Sequence, residues 1–234
     1  MHPLLIFVAL AVNALPITEV LRAQGSVDYF DPRERGGSLL DNSAGLGEPL
    51  NVIISGKSSP QLLTPSGFLD YAQAIGFSDG CLGINSSGRQ QANLGDGRGL
   101  VDEMGVFRQS FGIPGLGSCL EVLTGGNHFR VWKQDGPDAN SGALFLAVSQ
   151  EENLAHKHTI APDGYNIGRC VFLLLPSMKG FIHFSDKFVE VAKSLKRYTT
   201  TIQDITNLLE PGSQGVNHGI SQDGIVKLLT ITVS

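Results

Sequence analysis

The stretch HFRVWKQDGPDANSGALFLAVS, from His128 to Ser149, decides the fold that the sequence predicts. Residues 128–133 alternate between the two faces of a strand. One face carries Phe129 and Val131, and the other carries His128, Arg130 and Trp132. Residues 143–149 are apolar on both faces, as in a central strand, and the turn-rich segment Asp135–Gly142 separates the two runs. The stretch therefore predicts a β-hairpin.

Two elements are predicted before the hairpin. Leu50–Ser55 is a short apolar, β-branched run and is typical of a buried strand. Thr64 is a good N-cap and Pro65 favours the first helical position, so a helix is predicted from there to about Ile75. Between this helix and the hairpin, Phe77–Thr124 is rich in glycine, and we expect a long irregular insertion.

The part of the chain after the hairpin is less uniform in its patterns. Gly168–Leu175 fits a helix or a strand, and Phe184–Leu195 carries a helical stripe of apolar residues. Tyr198–Leu209 fits either state, whereas Ile225–Val233 predicts a final strand. Together the elements predict an α+β fold: a single domain over residues 48–234, with a mixed or mostly antiparallel sheet and helices packed on one face.

The composition supports one folded domain. The chain has 234 residues, of which 41% are hydrophobic and 17% charged, so there is enough apolar material for a core. The 29 glycines and 11 prolines predict many turns. The net charge is −5 and the sequence contains no Lys/Arg-rich run, so we expect no nucleic-acid partner.

The N terminus predicts export. Leu4–Ala14 (LLIFVALAVNA) is uncharged and mostly apolar, and it is shorter than the roughly 20 residues that span a membrane. It fits the apolar part of a signal peptide, with an uncleaved anchor or a core helix as alternatives. We expect cleavage after Ala23, which makes residues 1–23 a signal peptide and residues 24–47 a flexible lead-in. The mature protein is then secreted, extracellular and without an integral membrane segment.

The cysteines and one asparagine fit an extracellular protein. Cys81 and Cys119 are favoured as a disulfide, which leaves Cys170 as a free thiol that could join two chains. Three buried thiols are the alternative, which export disfavours. Asn85 begins an Asn-Ser-Ser glycosylation acceptor. Because the cysteines lack the spacing of zinc ligands, no metal and no other cofactor is predicted.

The best candidate site lies on the polar face of the hairpin. Arginine supplies a fork of donors, tryptophan a stacking surface and histidine a switchable donor or acceptor. His128, Arg130 and Trp132 could therefore bind an anion or a sugar. Further polar residues of the same region complete the candidate constellation: Glu151, His156, His158 and Asp163. The pattern predicts a small-molecule or glycan ligand.

Other interpretations of these residues stay open. In a hydrolase, His128 or His158 would act as a general base that an acidic residue such as Asp163 orients. In a metal-assisted version, His156 and His158 would bind the ion with a third ligand. In a structural interpretation, Trp132 packs in the core. The sequence has no Gly-x-Ser-x-Gly nucleophile elbow, so a serine hydrolase is not favoured.

Several stretches resemble those of uncharacterised secreted fungal proteins. They are Gly76-Phe77-Ser78 with Cys81-Leu82-Gly83, Ala92-Asn93-Leu94-Gly95-Asp96-Gly97, Gly125-Gly126-Asn127-His128-Phe129-Arg130-Val131-Trp132, and Gly215-Val216-Asn217-His218-Gly219-Ile220 before Asp223-Gly224. The resemblance covers roughly Pro49–Val233. It implies one domain, and it implies no established activity.

More distantly, the chain resembles the LssY C-terminal-like domain of bacterial membrane proteins. That domain has a His-rich strand ending in Arg-Leu-Trp, comparable to residues 128–132, and then a His-x-Ile turn with an Arg-Asp pair beyond, comparable to residues 158–160 and Arg169. The resemblance implies that His128, Trp132, His158 and Arg169 occupy recurring positions. The sequence departs from the pattern at Asn127, where a second His is usual, and at Cys170, where an acidic residue is expected.

The leading expectation is a secreted, non-catalytic protein that binds a small molecule, a glycan or a partner surface. The alternative is a secreted hydrolase with a His-based site, with or without a metal ion. The residues expected to bind the ligand are His128, Arg130, Trp132 and Arg169. The candidates for catalysis are His128, His158 and Asp163.

Overall fold

The computed structural model describes residues 27–43, 45–79, 88–113, 116–157, 159–178 and 196–234, with the backbone alone for residues 174–178. The strands in these ranges are β1 Val52–Ile54, β2 Phe77–Asp79, β3 Gln91–Asn93, β4 Leu100–Asp102, β5 Gly105–Gln109, β6 Gly126–Asp135, β7 Asn140–Glu151, β8 Tyr198–Ile205 and β9 Val226–Val233. The α-helices in the same ranges are α1 Pro65–Ala74, α2 Gly117–Thr124 and α3 Gly164–Met178.

Seven of these strands form one mixed sheet in the order β2-β5-β6-β7-β1-β9-β8, and β3 and β4 pair separately. Neighbouring strands in the large sheet are antiparallel except β1 and β9, which are parallel. The predicted α+β class with a mostly antiparallel sheet is confirmed. α1 and α3 contribute side chains to the core on one face of the sheet. α2 lies at the β5–β6 end, where its Glu121 accepts a hydrogen bond from Arg108 of β5 on the opposite face.

The predicted hairpin is confirmed as β6 and β7. The register places Phe129 opposite Val148 and His128 opposite Ser149, so the two faces alternate as the sequence indicates. The register shifts between Lys133 and Asp135. At this irregularity the buried side chain of Gln134 accepts from the backbone N–H of Phe30 and donates to its carbonyl, both at 2.9 Å.

An aromatic cluster fills the face under α1 and α3. The ring of Phe129 lies at its centre, with ring centroids of four other phenylalanines within 6.0 Å: Phe68, Phe77, Phe107 and Phe172. Phe68 comes from α1 and Phe172 from α3, so the cluster joins both helices to the sheet. Edge-to-face and offset contacts of this kind add to the stabilisation from burial.

The opposite face is covered by the N-terminal segment and by β3 and β4. Leu39 is buried there against the sheet, and Tyr29 packs edge-on against Phe145. Asp28 pairs with Lys57 at 2.6 Å. The expected flexible lead-in is therefore part of the folded domain from residue 27 onward, because its apolar side chains cover sheet residues that would otherwise face solvent.

The local signals of α1 are confirmed. Thr64 is its N-cap, with Oγ1 accepting from Gly67 N at 3.1 Å, and Pro65 is its first residue. The ambiguous segments also resolve, since Gly168–Leu175 belongs to α3 and Tyr198–Leu209 contains β8. The predicted helical stripe Phe184–Leu195 lies outside the described residues.

The predicted irregular insertion Phe77–Thr124 is wrong in its described part. It contains β2, β3, β4, β5 and α2. The strands of this part have three to five residues, too few to show a period, and β2 and β5 pair across the intervening β3 and β4. Long-range pairing thus orders a segment whose local composition favours loops.

Some predicted features fall outside the described residues: the signal segment, Cys81 and Asn85. The Cys81–Cys119 bridge and the glycosylation site therefore stay predictions. Cys170 is a free, exposed cysteine. No helix within the described ranges is long and apolar enough to cross a membrane.

Replacing Phe129 with Ala tests the aromatic cluster. Since Phe129 is fully buried, the Phe129→Ala variant should lose about 3–5 kcal/mol of unfolding free energy through the cavity left behind. Urea denaturation followed by the fluorescence of Trp132, the one tryptophan and a buried one, measures this loss. The control Phe111→Ala removes a ring that is 42% exposed and should cost far less. Equal losses in the two variants would contradict this packing.

Candidate functional site

The sheet face that carries His128 and Arg130 holds a buried group of charged and polar side chains, here called the charge cluster. Its members come from the N-terminal segment, β5, β6, β7, α2 and the residues flanking β3 and β4: Asp41, Glu48, Gln90, Glu103, Arg108, Glu121, His128, Arg130, Ser149 and Glu151. The cluster contains five carboxyl groups and two guanidinium groups. Negative charge is therefore in excess unless protons or a cation bind.

Arg108 joins α2 to the sheet at one end of the charge cluster. Its guanidinium contacts Glu121 at 2.8 Å and Glu151 at 2.6 Å. Burial raises the pKa of Glu121 to about 7, although the neighbouring Arg108 opposes the rise. Glu121 is fully buried, and its Oε1 has no hydrogen-bond partner. We therefore expect the side chain of Glu121 to change between its neutral and ionised forms near neutral pH.

His128 lies in the middle of the charge cluster and is 1% exposed. Its Nδ1 is 3.1 Å from Ser149 Oγ and 3.4 Å from Glu151 Oε1. Burial lowers the pKa of His128, although the carboxylate of Glu151 opposes the decrease. The serine and the carboxylate thus meet the same ring nitrogen. In a nucleophilic triad the histidine instead contacts its serine and its acid through different nitrogens.

Arg130 continues the charge cluster toward β3 and β4. Its guanidinium donates to Glu103 Oε1 at 2.9 Å and to the carbonyl of Gly88 at 3.1 Å. The other oxygen of Glu103 accepts from Gln90 N at 2.8 Å. Arg130 therefore fixes the segment before β3 and the residue after β4 over the sheet. The arginine is 5% exposed, so a ligand on the protein surface meets little of it.

Asp41 and Glu48 form an acidic pair at the other end of the charge cluster. Asp41 Oδ1 accepts from the backbone N–H of Glu48 at 2.6 Å. Burial, and then the nearby charge of Glu48, raises the pKa of Asp41 to about 8. The second oxygen of each carboxyl group has no hydrogen-bond partner, and the same holds for Gln90 Oε1.

An open pocket of about 300 Å³ lies beside the acidic pair and is here called the Asp41 pocket. Its wall includes polar and apolar side chains from the N-terminal segment, β3 and β4: Ser38, Asp41, Asn42, Leu46, Asn93 and Leu100. Backbone from the loop before β9 completes it at Gly215, whose carbonyl accepts from Gly47 N at 2.9 Å. None of the described residues that line it is basic. Asp41 belongs both to this wall and to the charge cluster.

The structure places the residues expected to bind ligand inside the protein. Trp132 is fully buried and donates from Nε1 to the carbonyl of Val101 at 3.1 Å, so its rings do not offer a stacking surface. Arg169, from α3, donates to Asp223 Oδ1 at 2.9 Å and to the carbonyl of Ile225 at 2.6 Å, and neither partner belongs to the hairpin. His128 and Arg130 are brought together within the charge cluster, as described above.

The other candidates do not converge on His128. Asp163 is exposed at the start of α3, where its Oδ1 accepts from Asn166 Nδ2 at 2.6 Å. His156 is exposed, and its Nδ1 lies 3.4 Å from Glu152 Oε2. His158 lies outside the described residues. Within the described ranges, no three or more His, Cys, Asp or Glu side chains are grouped so that they could hold a metal ion.

The sequence interpretation missed most of the charge cluster. Asp41 lies in the segment expected to be flexible and Glu48 directly follows that segment, whereas Glu103, Arg108 and Glu121 lie in the segment expected to be irregular. Arg108 has no local signal, because it follows two adjacent apolar residues, Val106 and Phe107, without alternation. The acidic residues have none either, because tertiary packing brings them together.

The Glu121→Gln variant tests the buried carboxyl. The pKa of Glu121 rises from 4.5 in the unfolded chain to about 7 in the fold, so the fold favours the protonated acid. The wild type should therefore lose stability relative to Glu121→Gln as pH rises from about 4.5 to about 7, by on the order of 2 kcal/mol. Urea unfolding of the wild type and of Glu121→Gln at about pH 4.5 and about pH 8 measures this loss of relative stability.

The matched control for this measurement is Glu210→Gln, which changes an exposed glutamate. The stability difference between the wild type and this control gives the effect of removing one exposed carboxylate over the same range. If the difference between the wild type and Glu121→Gln changes no more with pH than this background does, burial does not raise the pKa of Glu121.

No protein-family model matches the sequence, and no curated protein and no solved structure matches it significantly. The assignment of a function therefore depends on the geometry of the charge cluster and the Asp41 pocket.

Proposed function

We propose that this is a secreted, non-catalytic binding protein that holds a small polyhydroxylated ligand, such as a glycan, in the Asp41 pocket. The observation that carries the proposal is the position of Asp41, which lines an open pocket and is anchored in a buried charge cluster. Asp41 itself is 6% exposed and its Oδ2 is buried, so it holds the pocket wall in place, and the ligand would bond the exposed amide of Asn42 beside it.

The lining of the pocket fits such a ligand. Asn42 supplies an exposed amide group, which both donates and accepts hydrogen bonds, whereas the amide of Asn93 also bonds the backbone of Gly36 and Gly95. Leu46 and Leu100 are 46% and 50% exposed and offer apolar surface for the C–H faces of a sugar ring. With an aspartate and no basic side chain in the described wall, the pocket favours neutral or cationic ligands over anions.

The site therefore differs from the one expected on the hairpin. Trp132 and Arg130 are engaged in the interior, where they support β3 and β4. Those strands carry Asn93 and Leu100, which line the pocket. We propose that the hairpin face acts on binding indirectly, by fixing the pocket wall.

Binding is better supported than hydrolysis. His128 is buried, and its Nδ1 faces both Ser149 and Glu151. A general base must reach the proton of its substrate or of an attacking water. The exposed candidates Asp163 and His156 have local partners of their own, Asn166 and Glu152, and do not meet His128.

Two exposed leucines test the pocket. Ligand-observed NMR against a panel of neutral mono- and oligosaccharides should identify a binder, and titration should give its Kd. Leu46→Ala and Leu100→Ala should each raise that Kd by about fivefold, since each removes about 1 kcal/mol of apolar contact. Leu123→Ala is the matched control, because Leu123 is 59% exposed on α2 and does not line the pocket.

The control should bind with the wild-type Kd. The proposal fails if no saccharide in the panel binds, or if the two pocket variants bind as tightly as Leu123→Ala does.

Export is tested by the mass of protein collected from the medium of a eukaryotic host. The chain should start at Gln24, carry a glycan that the Asn85→Gln variant loses, and lack the two hydrogens removed by a Cys81–Cys119 disulfide. Retention in the cell with Met1 still present would contradict export. A mass unchanged by Asn85→Gln would remove the glycosylation site.

A further inference from the structure

Three oxygen atoms at one end of the charge cluster are buried without a hydrogen-bond partner. They are Asp41 Oδ2, Glu48 Oε2 and Gln90 Oε1. The three residues are 6%, 5% and 8% exposed, so solvent hardly reaches them. Buried polar atoms nearly always have a partner. Three unpartnered acceptors on side chains of one buried cluster therefore point to a site for a bound positive group.

Glu48 joins the three residues into one site. Its backbone N–H donates to Asp41 Oδ1 at 2.6 Å, and its Oε1 lies 3.5 Å from Gln90 Nε2. The Gln90 amide also donates to Ser43 Oγ at 3.1 Å, which holds it against the same segment. The side-chain amide of Gln90 thus contacts Glu48 through its nitrogen, while the oxygen of the same amide has no partner.

We propose that Asp41, Glu48 and Gln90 bind a calcium ion. Carboxylate and amide oxygens are the ligands that Ca²⁺ takes in proteins, and Ca²⁺ accepts irregular geometry. Mg²⁺ requires nearly octahedral geometry and keeps more of its water, so this uneven set of ligands favours Ca²⁺. The ion would also offset the excess of carboxyl over guanidinium groups in the charge cluster.

A cation accounts for the three oxygens better than a proton does. A proton shared by Asp41 and Glu48 supplies one donor to this acidic pair. It leaves the amide oxygen of Gln90 unpartnered, since that atom is an acceptor only. A cation bound between the three side chains would partner the acidic pair and the amide oxygen together.

The Asp41 pocket gives the ion a route from solvent, because Asp41 lines it. Water in the pocket can complete the coordination shell, since Ca²⁺ takes six to eight oxygens. With two carboxylates, the site should bind Ca²⁺ with a Kd of about 10⁻⁴–10⁻³ M, as in extracellular calcium modules. The inference does not rest on the proposed ligand, because Ca²⁺ binding is measured without any saccharide.

The test is calorimetric titration of chelator-treated full-length protein with CaCl₂. One Ca²⁺ ion per chain should bind, with a Kd in the range given above. Mg²⁺, added as MgCl₂, should bind at least about tenfold more weakly. Asp41→Asn and Glu48→Gln should each raise the Kd for Ca²⁺ at least about tenfold. Gln90→Glu adds a third carboxylate and should lower it by roughly the same factor.

Glu34→Gln serves as the control, because Glu34 is an exposed glutamate of the N-terminal segment and should leave the Kd unchanged. Trp132 fluorescence shows whether each variant is folded. If Asp41→Asn or Glu48→Gln does not fold, Gln90→Glu still tests the site. The inference is overturned if Ca²⁺ up to about 10 mM gives no binding, if Mg²⁺ binds as tightly, or if the Kd is the same in wild type and Gln90→Glu.

Discussion

Strand β6 pairs with β7 along its length, and this pairing fixes which face of the sheet each β6 side chain occupies. Phe129 then has to lie among the aromatic rings under α1 and α3, and His128 and Arg130 have to lie on the opposite face. A shift of one residue would put a phenylalanine among carboxylates and an arginine among phenylalanines. Both halves of the interior therefore depend on the same register.

The charge cluster holds the second layer of the protein on the sheet. Arg108 connects the sheet to α2, and Arg130 connects it to the strands that carry the pocket. Buried ion pairs of this kind add little net stability, because desolvation offsets the attraction, but they allow few alternative arrangements. The main effect of the charge cluster is thus to specify the positions of the N-terminal segment, β3 and β4. Its contribution to the free energy of unfolding is smaller.

The sequence predicted the parts of the fold that depend on neighbouring residues. The cap at Thr64 and the alternation in residues 128–133 are local signals, and both elements form where they indicate. The strands between Phe77 and Gln109 are short, and β2 pairs with β5 across the intervening β3 and β4, so the local pattern of this segment resembles that of a loop. The site was less predictable, because Asp41, Gln90 and Glu103 become neighbours of Arg130 only through tertiary packing.

The place of β9 in the sheet has a consequence for the order of folding. This strand comes last along the described chain, yet it lies between β1 and β8 and pairs with both. Until β9 has been synthesised, β1 keeps an open edge and β8 has no neighbour in the sheet. The sheet therefore cannot close while the residues before Val226 are being made, and a growing chain stays incompletely folded up to that point.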